Sequence, residues 1–161
     1  MKSAIVFAET GHLCLATLHA NNTYQALERV VNLYPDDARN QLYMGLSMNL
    51  KAIVSQRLVP RVGNGGFVPA VEVMLNSPLI SDLILKGEID EIKEAIERST
   101  GEGMKTFDQC LFDLFEQGLI TYEDAMRSAD SVNNLRLRIK LEGKGAKSQK
   151  QLGSTFDKVE Y

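Results

Sequence analysis

The sequence contains no tryptophan, and among its 161 residues it has only two cysteines, two histidines and four prolines. Cysteines as far apart as Cys14 and Cys110 make neither a disulfide framework nor a metal-ligand spacing, so both read as buried thiols in a reducing compartment. No apolar stretch approaches the roughly 20 residues that cross a bilayer. Met1-Lys2 ahead of Ala4–Ala8 has the outline of a signal peptide, but its apolar part is short and is interrupted by Glu9 and His12. A cytoplasmic protein is expected. Positive charge is not in excess: 18 Lys and Arg against 21 Asp and Glu leave a net charge of −3. That balance argues against a nucleic-acid binder driven by phosphate contacts. The common catalytic motifs are missing too. There is no G-x-x-x-x-G-K-[ST] phosphate loop, no G-x-G-x-x-G, no H-E-x-x-H, no paired C-x-x-C and no nucleophile elbow. Gly63 to Gly66 lacks the lysine and precedes a strand pattern rather than a helix.

With 44% apolar and 24% charged residues, the composition is that of a folded domain. A chain of this length buries about two-thirds of its unfolded surface. The stretch Thr10-Gly11-His12-Leu13-Cys14-Leu15-Ala16-Thr17-Leu18-His19-Ala20 organises the reading. The apolar run Leu13–Leu18, bounded by the two histidines, has the length and punctuation of a strand buried on both faces. In open α/β sheets ligands sit beyond the carboxyl ends of such strands, where Thr17 and His19 would stand.

Residues 1–10 read as the last turns of a helix. Thr23 is the candidate cap of a helix with Ala26, Leu27, Val30, Val31 and Tyr34 on one face. Pro35 breaks it, and Asp36 or Asp37 can cap the next, in which Leu42, Leu46 and Leu50 recur every fourth residue. Gly63-Asn64-Gly65-Gly66 is the clearest turn signal and predicts a hairpin, Ile53–Arg61 against Phe67–Leu75. Ser77-Pro78 opens a helix that Gly87 stops. Ile89, Ile92 and Ile96 mark another. Thr106, Thr121 and Ser131 precede three more amphipathic stretches, and from Gly143 the composition turns polar. Three segments follow: an α/β part over 1–76, a helical part over 77–141 and a flexible tail over 142–161.

His12 and His19 lie at opposite ends of the expected strand with side chains tending to opposite faces, so no shared metal site is expected. For a histidine at a strand end, a structural role stands beside a chemical one. The charged positions from Glu88 to Arg98 are most simply a solvated helix face.

Glu9-Thr10-Gly11-His12-Leu13 with Thr17-Leu18-His19 resembles the histidine box of the secretion-type ATPases that power type IV pili. Ile53-Val54-Ser55-Gln56-Arg57-Leu58-Val59-Pro60 is similar to a strand of that family, and so are Phe107-Asp108-Gln109 and Gly118-Leu119-Ile120-Thr121 to later segments. The resemblance runs from residue 1 to about 141, in the form of the twitching-motility retraction ATPases, the PilT/PilU family. Retraction ATPases of the PilT kind carry Ala-Ile-Arg-Asn-Leu-Ile-Arg-Glu, where this chain has Leu79–Lys86 with Ser81 and Leu85 in place of the arginines. Losing two fixed cations changes partner contacts. The stretch Ala129–Lys140 also looks like the PilU branch.

The resemblance implies a fold: the C-terminal part of a RecA-like P-loop ATPase domain followed by a helical subdomain. It implies ATP and Mg2+ as cofactors in the complete protein. It also implies that the phosphate loop, aspartate box and Walker B residues precede the histidine box, so that this chain begins after them. By the same resemblance His19 senses the γ-phosphate, Thr17 orients it and His12 supports the nucleotide site. Partners would be other retraction ATPase subunits in a hexameric ring and the inner-membrane pilus platform protein, at the inner face of that membrane. A second reading is a non-catalytic module that binds other motor subunits. Without the central strands, Leu13–Leu18 would have unpaired edges, so the isolated chain is expected to be marginally stable or to aggregate.

Overall fold

The glycine-rich turn and the β-branched runs beside it fold as the spacing predicts. In a computed structural model, which describes residues 2–63 and 65–143, β1 (Ala52–Pro60) and β2 (Phe67–Leu75) form a two-stranded sheet. Gly63, Gly65 and Gly66 take φ of 97°, 82° and 95°, a region closed to most side chains. Arg61 N–H donates to the Gly66 carbonyl at 3.1 Å, and Asn76 N–H to that of Lys51 at 2.9 Å. These bonds at the two ends give one register throughout, with Ser55 opposite Glu72 and Val59 opposite Val68. Ser55, Val59, Ala70, Glu72 and Met74 are buried on one face, whereas Val54, Leu58 and Phe67 are exposed.

The chain divides into two compact units, each built from two stretches. The first takes the chain through Arg57 together with Val71–Thr106. It holds α1 (Lys2–Glu9), α2 (Thr23–Val31), α3 (Arg39–Asn49), α4 (Pro78–Lys86) and α5 (Ile92–Arg98). The apolar stripes read from the sequence meet in one core: Leu27, Val30 and Val31 of α2, Leu42 and Leu46 of α3, Ile80 and Ile84 of α4, Ile92 and Ile96 of α5. Gly45 lets α1 come close to α3, since a Cβ there would lie 3.3 Å from Ile5 Cγ2.

Helix ends follow capping chemistry, with two differences from the expectation. Asn22, not Thr23, caps α2: its extended backbone lets Oδ1 accept from Gln25 N–H at 2.9 Å. Asp36 and Asp37 cap no α-helix but form a 3-10 turn, Asp36–Ala38, ahead of α3. Ser77 caps α4 with Pro78 in its first turn. Gly87 closes α4 at φ +74°, and a Cβ there would lie 3.1 Å from the Tyr43 ring. Gly87→Ala should therefore destabilise this unit by about 1–2 kcal/mol, from left-handed strain alone. Its urea midpoint, followed by circular dichroism, checks this; an unchanged midpoint contradicts it.

The second unit takes Leu58–Ala70 together with the chain from Phe107 onward. Here α6 (Phe107–Glu116), α7 (Tyr122–Ser128) and α8 (Val132–Glu142) surround Phe107, Leu111, Ile120, Ala125 and Leu135, with Val59 and Ala70 from the hairpin ends. Thr121 and Ser131 cap α7 and α8 as expected. β2 is divided between the units, with Phe67–Ala70 in the second and Val71–Leu75 in the first. Because α8 runs through Glu142, the tail expected from residue 142 starts within a helix, and residues 144–161 lie outside the described residues.

Candidate functional site

The histidine segment differs most from expectation. Residues 12–20 form no strand: Leu13 is 82% and Leu15 88% exposed. A strand buried on both faces needs strands beside it and helices over it. The sheet among the described residues is the β1–β2 hairpin, which does not pair with this segment. For the same reason Cys14 is exposed rather than buried, while Cys110 is half-buried in the second unit.

His12 sits at the end of α1. Gly11 turns the chain at φ 87°, and His12 N–H donates back to the Phe7 carbonyl at 3.1 Å. The Thr10 hydroxyl donates to the same carbonyl at 2.8 Å and lies 3.0 Å from His12 Nδ1. A hydroxyl has one proton, so with that proton given to Phe7 it is Nδ1–H that donates to Thr10 Oγ1. The Phe7 ring meets the imidazole edge-on at 5.8 Å. These contacts tie His12 to the helix end.

His19 stands elsewhere. With Gln25, Glu28, Arg29 and Asn32, it lines a surface hollow of about 360 Å³. Gln25, Glu28 and Arg29 are the polar side of α2, the complement of the apolar stripe that packs into the core, and Asn32 is the C-cap of that helix. That complement is the signal from which they were legible, and sequence reasoning passed over it. Thr17 is exposed and does not line the hollow. The structure thus brings His19 to α2 and brings neither Thr17 nor His12 with it. Nearby on α2, the Glu28 carboxylate, and then that of Asp90, hold the Tyr24 hydroxyl above its ordinary pKa.

Between His19 and α2 the backbone is held at fixed points. The Arg57 guanidinium donates through Nε and one terminal nitrogen to the Asn21 carbonyl at 3.3 and 3.2 Å. Glu72 Oε1 accepts from Thr23 N–H at 2.7 Å. Glu72 is 3% exposed, a carboxylate set against the first amide of a helix, where the dipole favours it. Sequence reasoning did not single out either residue. For Glu72 the signal was a charged side chain at an inward position of an otherwise apolar strand; β1, with Ser55 and Gln56 beside Arg57, gave no such contrast.

The hollow's donor set is one guanidinium, one imidazole and side-chain amides, with the Glu28 carboxylate beside them. A nucleoside triphosphate with its magnesium is normally held by a cradle of backbone N–H groups, a lysine and oxygen ligands for the metal. Among the described residues no three His, Cys, Asp or Glu side chains are placed to hold a metal ion. The residues present therefore do not by themselves fit a magnesium–ATP site.

Residues 1–95 match the family described as type II/IV secretion system protein. The chain belongs to that family. Over 141 residues it is 59% identical to the type IV pilus ATPase PilU of Pseudomonas aeruginosa, a match covering 88% of this chain and 37% of PilU. The type IV pilus retraction ATPase PilT of the same organism is 35% identical over 134 residues, covering 83% of this chain and 39% of PilT. Among solved structures, the pilus retraction motor PilT with bound ADP superposes with a TM-score of 0.75 at 34% identity, covering 84% of this chain and 38% of that one. The Legionella pneumophila ATPase DotB shares the fold, with a TM-score of 0.66 at 22% identity over 78% of this chain and 34% of DotB. The resemblance to the PilT/PilU family and the α/β secretion-ATPase fold, both read from the sequence, are borne out. This member of the family spans less than two-fifths of the length of the two pilus ATPases. No helix among the described residues is long and apolar enough to cross a membrane.

Proposed function

We propose that this chain is part of a PilU-type accessory retraction ATPase, one subunit of a hexameric ring that couples ATP hydrolysis to pilus retraction. The observation that carries the reading is the 59% identity to PilU, against 35% to PilT. The α4 surface supports it. Ser81, at the position of a PilT arginine, turns inward and donates its hydroxyl to the Ser47 carbonyl at 2.8 Å. Leu85, at the position of the other, is half-exposed and apolar. The one lysine of α4, Lys86, is paired with Asp82 at 2.7 Å. A surface without those two cations fits a different set of neighbours. The complete protein would work in the cytoplasm at the inner face of the inner membrane, against the pilus platform protein.

In that complete protein, ATP and Mg2+ bind with phosphate-loop, aspartate-box and Walker B groups supplied by the rest of the motor. His19 is the group of this chain that reports on the terminal phosphate. Its place beside Arg29 supports this, since both are hydrogen-bond donors. Thr17 helps to orient His19, and His12, tied to the end of α1, supports the nucleotide site.

The test replaces the matched 141-residue stretch of PilU with that of this chain. The chimera should hydrolyse ATP within about threefold of PilU. His19→Ala in it should lower turnover by about tenfold or more, as removal of a donor to developing charge does. Unchanged turnover in that variant overturns the assignment of His19. The exposure of Leu13 and Leu15 favours a second reading, a non-catalytic module whose apolar segment is covered by other motor subunits. A chimera that assembles with PilU or PilT but does not hydrolyse ATP would select it. Isothermal calorimetry on the isolated chain should show no magnesium–ATP binding at millimolar nucleotide.

A further inference from the structure

We propose that Arg57 and Glu72 are positioning residues for His19, a paired clamp through which the hairpin sets where the imidazole stands. The inference deepens the reading of His19 above and rests on it for its catalytic consequence.

Three observations carry it. First, both residues belong to the inward face of the hairpin. Ser55 is opposite Glu72 in the register fixed by the Arg61–Gly66 and Lys51–Asn76 bonds, which puts Arg57 opposite Ala70 and diagonal to Glu72. Diagonal side chains on one sheet face lie within reach of the same target. Second, the target is one short piece of backbone. Arg57 donates twice to the Asn21 carbonyl, at 3.3 and 3.2 Å, and Glu72 accepts from Thr23 N–H at 2.7 Å. The cation takes the acceptor and the anion takes the donor, so each bond is charge-assisted and neither residue can replace the other. Third, Asn21 is two residues after His19, and Thr23 is the first residue of α2, whose polar side completes the hollow around His19. Asn22, between the two clamped groups, spends its side chain on Gln25 N–H. With Asn21, Asn22 and Thr23 each held, His19 hangs from a fixed post.

Glu72 is 3% exposed, an unusual position for a carboxylate, and its Oε1 accepts from a backbone amide. Core packing alone would be served by an apolar side chain at this point of β2, between Ala70 and Met74. The carboxylate makes sense as the acceptor that the first turn of α2 needs at a defined place. Arg57, half-buried at the other end of the diagonal, fixes the height of the connector above the sheet.

The test uses the chain itself, with no nucleotide, and reads positions rather than turnover. In hydrogen exchange followed by NMR, Glu72→Ala should speed exchange of the Thr23 amide by about tenfold or more, whereas Glu72→Gln, which keeps an acceptor, should change it by less than about threefold. Arg57→Gln removes the guanidinium from a half-buried site and keeps the fold available if Glu72→Ala fails to fold. It should shift the His19 ring resonances, and Arg57→Lys should restore them in part. Amides of α6 and α8 in the second unit should be unaffected by all four. Unshifted His19 resonances in Arg57→Gln, or Thr23 exchange unchanged in Glu72→Ala, would overturn the proposal. Equal loss of protection at every amide of the first unit would also overturn it, because the two residues would then be general supports. In the PilU chimera, Arg57→Gln should lower kcat with KM nearly unchanged. If the exchange and resonance results hold while His19→Ala leaves turnover intact, the clamp stands and the role assigned to His19 falls.

Discussion

Phe107→Ala should destabilise the unit that contains it by about 3–5 kcal/mol, the cost of deleting a large side chain from a core that cannot close over the gap. Phe107 is fully buried, and it is the first residue of α6, so its ring enters the core where the chain arrives from Thr106. Around it stand Val59, Ala70, Leu111, Ile120 and Leu135, contributed by the hairpin, α6, the segment ahead of α7, and α8. No single neighbour can move into the space without leaving another. Amide exchange along α6, α7 and α8 measures the loss directly. Protection there should fall together, while amides of α3 and α4 in the other unit should keep theirs. A loss below about 1 kcal/mol would mean that the site relaxes, and that this core is held by its periphery rather than by its largest ring.

The second large effect is a contrast between two settings. Leu13→Asp with Leu15→Asp should change the stability of this chain by less than about 0.5 kcal/mol, because surface substitutions rarely do more. Both leucines are more than four-fifths exposed here. In the PilU chimera the same pair should abolish turnover. There the segment is expected to be a sheet strand with both leucines buried, and a buried unpaired carboxylate costs several kcal/mol. Urea unfolding of the chain and turnover of the chimera check the two halves. An active double-aspartate chimera would show that the segment remains exposed in the working motor. Self-association of the wild-type chain, compared by sedimentation with that of the double variant, tests whether these leucines drive the expected aggregation.

That contrast also explains what the sequence could and could not reveal. The hairpin was legible to within a residue at each end, since a glycine turn and its flanking runs are local features. The helices from Ser77 onward were legible because their stops and caps (Gly87, Thr121, Ser131) act within one turn. Leu13–Leu18 was misread because a strand is a relation between segments, and periodicity reports only the segment's own preference. Asn22 was passed over for Thr23 because either can cap; in the structure the Asn22 side chain accepts from Gln25 N–H, while the Thr23 amide donates to Glu72, 49 residues away, a partner that no local pattern reveals. The polar side of α2 was visible as the complement of its apolar stripe, but nothing local tied it to His19. The family resemblance came from several separated motifs together, and PilU's 59% identity agrees with the branch that Ser81 and Leu85 indicated.

Both units take their hairpin residues from the same two strands, yet each must wait for a different later stretch of chain. This sets an order of events during synthesis. As the polypeptide leaves the ribosome, Leu58–Ala70 emerges before the stretch that completes the first unit at Thr106, and long before α8. Residues of β1 and β2 that face the second core must therefore remain without their final neighbours while the first core closes. A ribosome stalled soon after Thr106 has cleared the exit tunnel should display one protease-resistant unit and one exposed strand end, with Val59 and Ala70 still open to solvent.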